Sequence, residues 1–243
     1  MRAAVYGGTR NLYPDMIPAI KSLIANSTVD RIYLLTEDDT IGEPLPAIVE
    51  TVNLSGQRFF PPDGPNANSP LTYMSMLRVC LTKIFPELER ILWLDVDTIV
   101  ADHIDELWDL DMGENYFAMV LENCNPYRPC GPKYYNAGVC MFNLKQVREE
   151  KADDQMIWML NETRYDCIDE YVMNRVGVYG KIVELPLRFN EAVCNGFTDN
   201  PAIIHWAGFR NFQTDIRACR REYLKKYRDM SWEEVLHAHS NSF

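Results

Sequence analysis

The feature that most constrains the fold of this chain is a series of short apolar runs separated by stretches of helical periodicity. Such runs extend from Ala3 to Tyr6, from Arg31 to Leu35, from Ile48 to Leu54 and from Ile91 to Leu94. Strands that alternate with helical segments are typical of a parallel sheet with crossover helices. The 243 residues suffice for one large domain, and the 47% that are hydrophobic supply a sizeable core. We therefore predict an α/β fold with a mostly parallel central sheet.

The second half of the sequence continues this alternation. Apolar runs extend from Tyr116 to Leu121, from Val139 to Leu144 and from Ile182 to Leu185, and another run ends at His205. Before the fourth strand, the apolar residues from Met74 to Ile84 have the spacing of one helix. These segments complete the predicted sheet and its flanking helices.

The charge and the cysteines of the chain exclude several classes of function. A formal net charge of -11 repels the phosphates of nucleic acids, so we expect no nucleic-acid partner. The seven cysteines form no CxxC pair of the zinc or redox kind, and Cys124 and Cys130 could bridge a loop or remain thiols. The first residues contain only a short apolar stretch, and no apolar run reaches membrane-spanning length. We expect a soluble, cytoplasmic protein.

Two aspartates, Asp95 and Asp97, directly follow the apolar run Ile91 to Leu94. Ligands of open α/β sheets bind beyond the carboxyl ends of the strands, where this pair lies. Alternate residues of an extended chain point to the same side, so both carboxylates could face one cation. Divalent cations such as Mg²⁺ are usually shared between protein carboxylates and substrate phosphates. The pair predicts a metal site for a phosphate-containing substrate, and two solvated aspartates at a strand end are the simpler alternative.

The same residues also suggest a phosphatase of the haloacid dehalogenase class. In that class a strand-end Asp-x-Asp supplies a nucleophile and an acid/base. The motif there follows the first strand, and Thr or Val stands two residues after the second aspartate. Here the pair follows a later strand, and the position two residues after Asp97 is Ile99. We therefore rank this alternative below a metal site for a phosphate-containing substrate.

Several blocks of the sequence resemble family 8 of the retaining glycosyltransferases, the glycogenin and bacterial galactosyltransferase group. The stretch from Arg78 to Val100 resembles the family's helix arginine, followed by an apolar strand that ends in Leu-Asp-x-Asp. Further blocks follow in the family's order: Tyr135-Asn-Ala-Gly-Val139, Asp169-Glu-Tyr-Val-Met-Asn174, Leu185-Pro-Leu-Arg-Phe-Asn190 and Ile204-His-Trp-Ala-Gly208. The resemblance covers nearly the whole chain. It implies a GT-A fold, which is Rossmann-like, and binding of a nucleoside diphosphate sugar.

The resemblance also implies which residues form the site. Asp95, Asp97 and His205 would bind Mn²⁺ or Mg²⁺, and UDP-sugar would be the donor substrate. Glu170, Asp169 and Asn136 would be the catalytic residues. The residues implied to contact the nucleotide sugar are Asn11, Tyr13, Arg78, Asp95, Val96, Asp97, Ala137, Gly138, Gly208 and Arg210.

Chemical reasons support these implied roles. Asn136 and Asp169 offer an amide and a carboxylate to sugar hydroxyls, while Ala137 and Gly138 would let the donor approach the backbone. Arg78 could neutralise a phosphate or steer a carboxylate. The stretch Asn11-Leu-Tyr13 resembles the family's Asp-x-Tyr motif. In that motif the tyrosine stacks on uracil, and the acid or amide two positions earlier binds the edge of the uracil ring. Asn11 and Tyr13 would do so here, or would be a turn residue and a packing residue.

The sequence departs from the family pattern at some positions. The family's lysine six residues after the histidine is Asn211 here, and the neighbouring Arg210 could grip the diphosphate in its place. Glu170 and Tyr171 replace the glutamine and the second aspartate of the family's Asp-Gln-Asp. These changes leave open a non-catalytic nucleotide-sugar binding protein as an alternative.

The last part of the chain changes in character. We expect a GT-A domain over residues 1–215 and a basic amphipathic helical segment over residues 216–243. The segment could pack on its own acidic domain or lie peripherally on an anionic membrane surface. His237 and His239 would lie in a disordered tail.

The interpretation that these observations favour is a metal-dependent retaining glycosyltransferase. It would transfer a hexose, glucose or galactose, from a UDP-sugar to the hydroxyl of a glycan, protein or lipid acceptor. The metal would stabilise the charge that develops on the departing diphosphate.

Overall fold

The structure of the protein is a computed structural model. It describes residues 1–69, 73–123, 133–177, 180–192, 194–207 and 221–242. The strands in these residues are β1 (Ala3–Gly7), β2 (Arg31–Thr36), β3 (Val49–Asn53), β4 (Ile91–Leu94), β5 (Thr98–Val100), β6 (Phe117–Leu121), β7 (Tyr135–Phe142), β8 (Ile182–Leu185) and β9 (Ile203–His205).

Within the described residues, seven strands form the main sheet, in the order β3-β2-β1-β4-β7-β6-β8. The pairs β1–β2, β1–β4, β2–β3 and β6–β8 are parallel, whereas β7 runs antiparallel to both of its neighbours. The sheet is therefore mostly parallel, as predicted. β5 and β9 pair antiparallel in a separate small sheet.

The predicted strands are confirmed except in two places. β7 begins at Tyr135 rather than at Val139, so the Asn-Ala-Gly block is also part of this buried strand. β5 was not predicted, because three residues carry too little local pattern and the strand exists through its pairing with β9.

The helices cover both faces of the sheet. They are α1 (Tyr13–Asn26), α2 (Tyr73–Met76), α3 (Leu81–Ile84), α4 (Asp105–Trp108), α5 (Leu144–Glu149), α6 (Ala152–Glu162), α7 (Ile168–Gly177), α8 (Arg221–Asp229) and α9 (Trp232–Ser242). Successive side chains of a strand point to opposite faces, so Ala4 and Tyr6 pack with α1 whereas Ala3 and Val5 pack with α3 and α7. The protein is thus a layered α/β fold.

One predicted helix is divided in the structure. The segment expected to be helical from Met74 to Ile84 consists of α2, a 3-10 turn at Leu77–Cys80, and α3. All four residues of the turn are buried, Arg78 among them. A short 3-10 stretch inside a helix often marks a functional position, and Arg78 lies in this one.

The C-terminal helices pack on α1. Leu224, Tyr227 and Val235 are buried in the same core as α1, and the Asn26 side chain donates a hydrogen bond to the Tyr227 hydroxyl at 2.6 Å. The expectation of a disordered tail is wrong, because α9 holds both terminal histidines and His239 Nδ1 lies 2.9 Å from the Ile24 carbonyl. Among the described residues, each helix is too short or too polar to cross a bilayer.

Candidate active site

The acidic pair lies in a tight turn between β4 and β5. The Asp95 N–H donates to the Gly138 carbonyl at 2.8 Å, and the Thr98 hydroxyl donates to the Asp95 carbonyl at 2.7 Å. The expectation that Asp95 and Asp97 continue an extended strand is therefore wrong in detail, since Val96 and Asp97 form the turn. The turn nevertheless brings both carboxylates to one side.

Strand pairing brings His205 to these aspartates. In the small sheet, Thr98 of β5 pairs with His205 of β9, and the Trp206 N–H donates to the Asp97 carbonyl at 3.0 Å. His205 Nε2 lies 3.3 Å from Asp97 Oδ1 and 3.8 Å from Asp95 Oδ2. The imidazole is buried, whereas about a quarter of each aspartate side chain is exposed, at 25% and 26%. The cluster of three side chains is thus open to solvent on its acidic side.

These three side chains have the spacing of metal ligands. One candidate ligand atom from each lies within 4.8 Å of the others, and within the described ranges this is the cluster of His, Cys, Asp and Glu with that property. Burial opposes the charge of Asp97, but attraction to His205 and to Arg78 outweighs it and holds the pKa of Asp97 below its ordinary value. Two carboxylates and one imidazole are a donor set that suits Mn²⁺ or Mg²⁺.

Arg78 connects two acids beneath this cluster. Its Nη2 lies 2.8 Å from Asp95 Oδ1, its Nε lies 2.8 Å from Asp169 Oδ2, and its Nη1 donates to the Ala137 carbonyl at 2.7 Å. The guanidinium also lies over the Trp93 ring, whose Nε1 donates to the same Asp95 Oδ1 at 2.7 Å. Of the two roles expected for Arg78, the structure shows the steering of carboxylates. Asp95 keeps its second oxygen for the open side.

Gly138 is a glycine because of His205. A Cβ atom at this position would lie 2.1 Å from Cε1 of the imidazole, which no packing tolerates. The expected close approach of the donor to the backbone here stays a prediction. The neighbouring Ala137 donates its N–H to Glu170 Oε2 at 3.0 Å.

The side-chain oxygen of Asn136 accepts two hydrogen bonds. Its Oδ1 accepts from the Gly138 N–H at 3.1 Å and from Asn190 Nδ2 at 2.8 Å. The carboxyl of Glu122 lies beside it: burial raises the pKa of Glu122, and the Asn136 amide and His205 oppose that shift. Asn136 therefore links the metal-ligand cluster to the acids of the site.

The start of α7 presents the remaining predicted acids. Asp169 is buried against Arg78, and burial raises its pKa although the guanidinium opposes this. Glu170 is half-buried, and burial followed by repulsion from Glu122 raises its pKa from 4.5 to about 8. Ile168, directly before them, has a φ of 29°, which is strained for a β-branched residue. The structure thus brings Asp95, Asp97, Asp169, Glu170, Asn136 and His205 together at one edge of the sheet.

The relatives of the chain agree with this geometry. The sequence model of Glycosyl transferase family 8 matches residues 47–211, more than half of the chain. The chain belongs to this family. GlyD of Streptococcus pneumoniae serotype 4 is 24% identical over 100% of this chain and 32% of its own length, and GlyA of the same organism is 26% identical over 69% and 25%. The chain therefore spans about a third or less of the length of these curated relatives.

Two solved glycosyltransferase structures have the same fold as this chain. The galactosyltransferase LgtC, solved in complex with donor and acceptor sugar analogs, has a TM-score of 0.71 and 20% identity, and the match covers 97% of this chain and 99% of LgtC. GlyE of Streptococcus pneumoniae TIGR4 has a TM-score of 0.71 and 20% identity, and covers 99% of this chain and 63% of GlyE. These likenesses confirm the GT-A fold.

The other residues expected from family 8 are placed as follows. Asn11 is exposed and accepts from the Thr9 hydroxyl, while Tyr13 is buried with its hydroxyl 3.2 Å from Asp38 Oδ1. Val96 borders this loop, because a Cβ on Gly8 would lie 3.4 Å from its Cγ1. The first loop and the acidic turn are thus neighbours. Five further residues lie outside the described residues: Gly208 and Arg210, expected at the nucleotide sugar, Asn211, which replaces the family's lysine, and Cys124 and Cys130, expected as a loop bridge or as thiols.

Two site residues were missed by the sequence reasoning. Glu122 follows β6 as Asp95 follows β4, so an acid at the end of a buried strand was the available signal. Trp93 was read only as an apolar strand residue, and its indole N–H to Asp95 has no local signature. Tyr171, which departs from the family-8 pattern, stacks on Tyr165 with ring centroids 4.5 Å apart.

Proposed function

We propose that the protein is a metal-dependent, retaining glycosyltransferase that transfers glucose or galactose from a UDP-sugar to an acceptor hydroxyl. The observation that carries this proposal is the Asp95–Asp97–His205 cluster at the carboxyl edge of the sheet. Family 8 membership supports the reaction class. The match covers only about a third or less of the longer relatives, so it does not identify the acceptor. We therefore propose the acceptor only as a class: a glycan, a protein or a lipid.

In this proposal Asp95, Asp97 and His205 hold Mn²⁺ or Mg²⁺. The donor set fits such an ion, and Gly138 leaves the space that the imidazole needs. When bound, the metal supplies Lewis-acid stabilisation of the departing diphosphate. Arg78 and Trp93 fix one oxygen of Asp95 and so orient the other toward the ion's position. Arg210 would supply a second cation for the diphosphate.

The surroundings of Glu170 support a positioning role for this residue. With a pKa of about 8, the carboxyl holds its proton at neutral pH. A neutral carboxyl offers one accepting oxygen, used here by the Ala137 N–H, and one donating hydroxyl. Glutamine, which the family pattern has at this position, likewise offers one accepting oxygen and a donating group. A protonated carboxyl is a poor nucleophile, so we favour front-face transfer, in which Glu170 positions the reacting groups.

The function is tested by measuring UDP release from a panel of UDP-sugars with Mn²⁺. UDP-galactose and UDP-glucose come first, since the fold relative LgtC is a galactosyltransferase. We expect turnover in excess over protein that EDTA abolishes. Binding of a UDP-sugar without turnover under these conditions would establish the non-catalytic alternative. The haloacid dehalogenase alternative loses its support, because the acidic pair follows the fourth strand of a family 8 chain.

A further inference from the structure

Three buried side chains form a hydrogen-bonded row that ends at the imidazole of His205. Asn136 Oδ1 lies 2.8 Å from Asn190 Nδ2, and Asn190 Oδ1 lies 2.9 Å from His205 Nδ1. Asn190 is 0% exposed, and its backbone carbonyl accepts from the buried Asn195 side chain at 2.8 Å. Water therefore does not compete for these groups, and each polar atom depends on its partner in the row.

A backbone group decides which atoms in this row donate. The Gly138 N–H can only donate, and it donates to the Asn136 side chain, so the atom that receives it is the carbonyl oxygen. An amide oxygen cannot donate, so its other partner must be the Asn190 NH₂. The opposite atom of the Asn190 amide is then its oxygen, and it faces His205 Nδ1. Turning the Asn190 amide over would place two oxygens at 2.8 Å.

We propose that this amide row fixes the tautomer of His205, with the proton on Nδ1 and the lone pair on Nε2. Nε2 is the nitrogen that faces Asp95 and Asp97. A metal ion needs that lone pair, and second-sphere hydrogen bonds commonly orient histidine ligands in this way. Asn190 is therefore a positioning residue for the metal ligand, and Asn136 is the group that orients Asn190. The inference rests on the metal site of the proposed function.

The tautomer is measured directly by NMR. Two-bond ¹H–¹⁵N correlations of the imidazole in the metal-free full chain, recorded at a pH alkaline enough that only one ring nitrogen carries a proton, distinguish a proton on Nδ1 from one on Nε2. The chain has four histidines, and the signals of His205 are identified by their absence from His205→Gln. We expect the proton on Nδ1 in the wild type. Asn190→Leu, similar in size but without an acceptor, should shift the proton to Nε2.

Calorimetric titration with Mn²⁺ in the presence of UDP supplies the second readout. We expect Asn190→Leu to weaken Mn²⁺ binding by about 10- to 100-fold, the usual effect of losing a second-sphere partner. Asn200→Leu, at an exposed asparagine, is the matched control and should bind Mn²⁺ as the wild type does.

A wild-type His205 with its proton on Nε2 would overturn the inference, whether or not Asn190→Leu folds. Equal Mn²⁺ affinity of wild type and folded Asn190→Leu would overturn it too. A wild type that carries the proton on Nδ1 but binds no Mn²⁺ would uphold the amide row and refute the metal site. The two ideas therefore fail separately.

Discussion

Replacing Glu170 by glutamine should change how the stability of the protein depends on pH. The carboxyl accepts from the Ala137 N–H at 3.0 Å and is half-buried near Glu122. Burial and that neighbouring acid raise its pKa from 4.5 to about 8. Glutamine has the same shape, can accept the same hydrogen bond and carries no ionisable proton. Glu170→Gln therefore removes the titration and keeps the contact.

The sign of the effect follows from the protons bound in each state. Between about pH 5 and pH 8, the folded chain holds a proton on Glu170 that the unfolded chain has already lost. The free energy of unfolding of the wild type therefore falls as the pH rises through this window. The slope is at most about 1.4 kcal/mol per pH unit, or roughly 2–3 kcal/mol between pH 5.5 and 7.5. Relative to the wild type, Glu170→Gln should gain stability as the pH rises.

Urea denaturation of metal-free protein at several pH values measures this difference. Glu149→Gln, at an exposed glutamate of α5, controls for the loss of one carboxylate. A difference between wild type and Glu170→Gln that grows with pH, and is absent for the control, is the expected result. If the two proteins differ by a constant amount across the window, the carboxyl of Glu170 ionises as it would in water, and the reasoning about its neutral form fails.

The same variant tests the catalytic role. If Glu170 acts as a neutral positioning group, Glu170→Gln retains substantial activity, and its kcat/KM persists above pH 8, where the wild type declines. Glu170→Ala should lose more, because the contact to Ala137 disappears. A covalent route predicts the reverse: Glu170→Gln nearly inactive, wild-type activity rising through pH 8, and a glycosyl-enzyme visible by intact mass. An adduct on Glu170 would reject front-face transfer.

Other predictions follow from the same site. Asp97→Asn and His205→Ala should lose both Mn²⁺ binding and UDP release, and the activity of the wild type should vanish in EDTA. Full activity of either variant, or of the wild type in EDTA, would contradict the metal site. Gly138→Ala should destabilise the fold by about 1–3 kcal/mol and weaken Mn²⁺ binding, because its Cβ meets the imidazole, whereas Gly56→Ala has open space; thermal unfolding compares the two. Arg210→Ala should weaken UDP binding by roughly 1.5–3 kcal/mol, and calorimetry that finds equal affinity would assign Arg210 to the surface.

The parts of the site that the sequence predicts are those with a local signature. A fully buried strand in a parallel sheet is a continuous apolar run, and Ile91 to Leu94 is one, so the position of Asp95 follows from the strand-end rule. The resemblance to family 8 adds His205, which is distant in sequence. The pairing of β5 with β9 then explains how it reaches Asp97.

The remainder depends on contacts between distant segments. Nothing local shows that Gly138 faces an imidazole, since the reason for the glycine is a residue of another strand. The 3-10 turn that carries Arg78 reads as ordinary helix, because its burial on all sides depends on neighbouring layers. The raised pKa of Glu170 likewise arises from its burial and from Glu122, which the fold places beside it.

The acids of the site differ in how their negative charge is compensated. Asp169 and one oxygen of Asp95 are paired with the Arg78 guanidinium, and the carboxyl of Glu170 is neutral because it keeps its proton. Asp97 and the second oxygen of Asp95 face the open side with His205. In a chain with a net charge of -11, a diphosphate at this edge would be repelled unless a cation stood between it and those carboxylates. Apart from that of Glu122, the uncompensated negative charge of the site thus lies where the proposed metal ion and its phosphate ligands would meet.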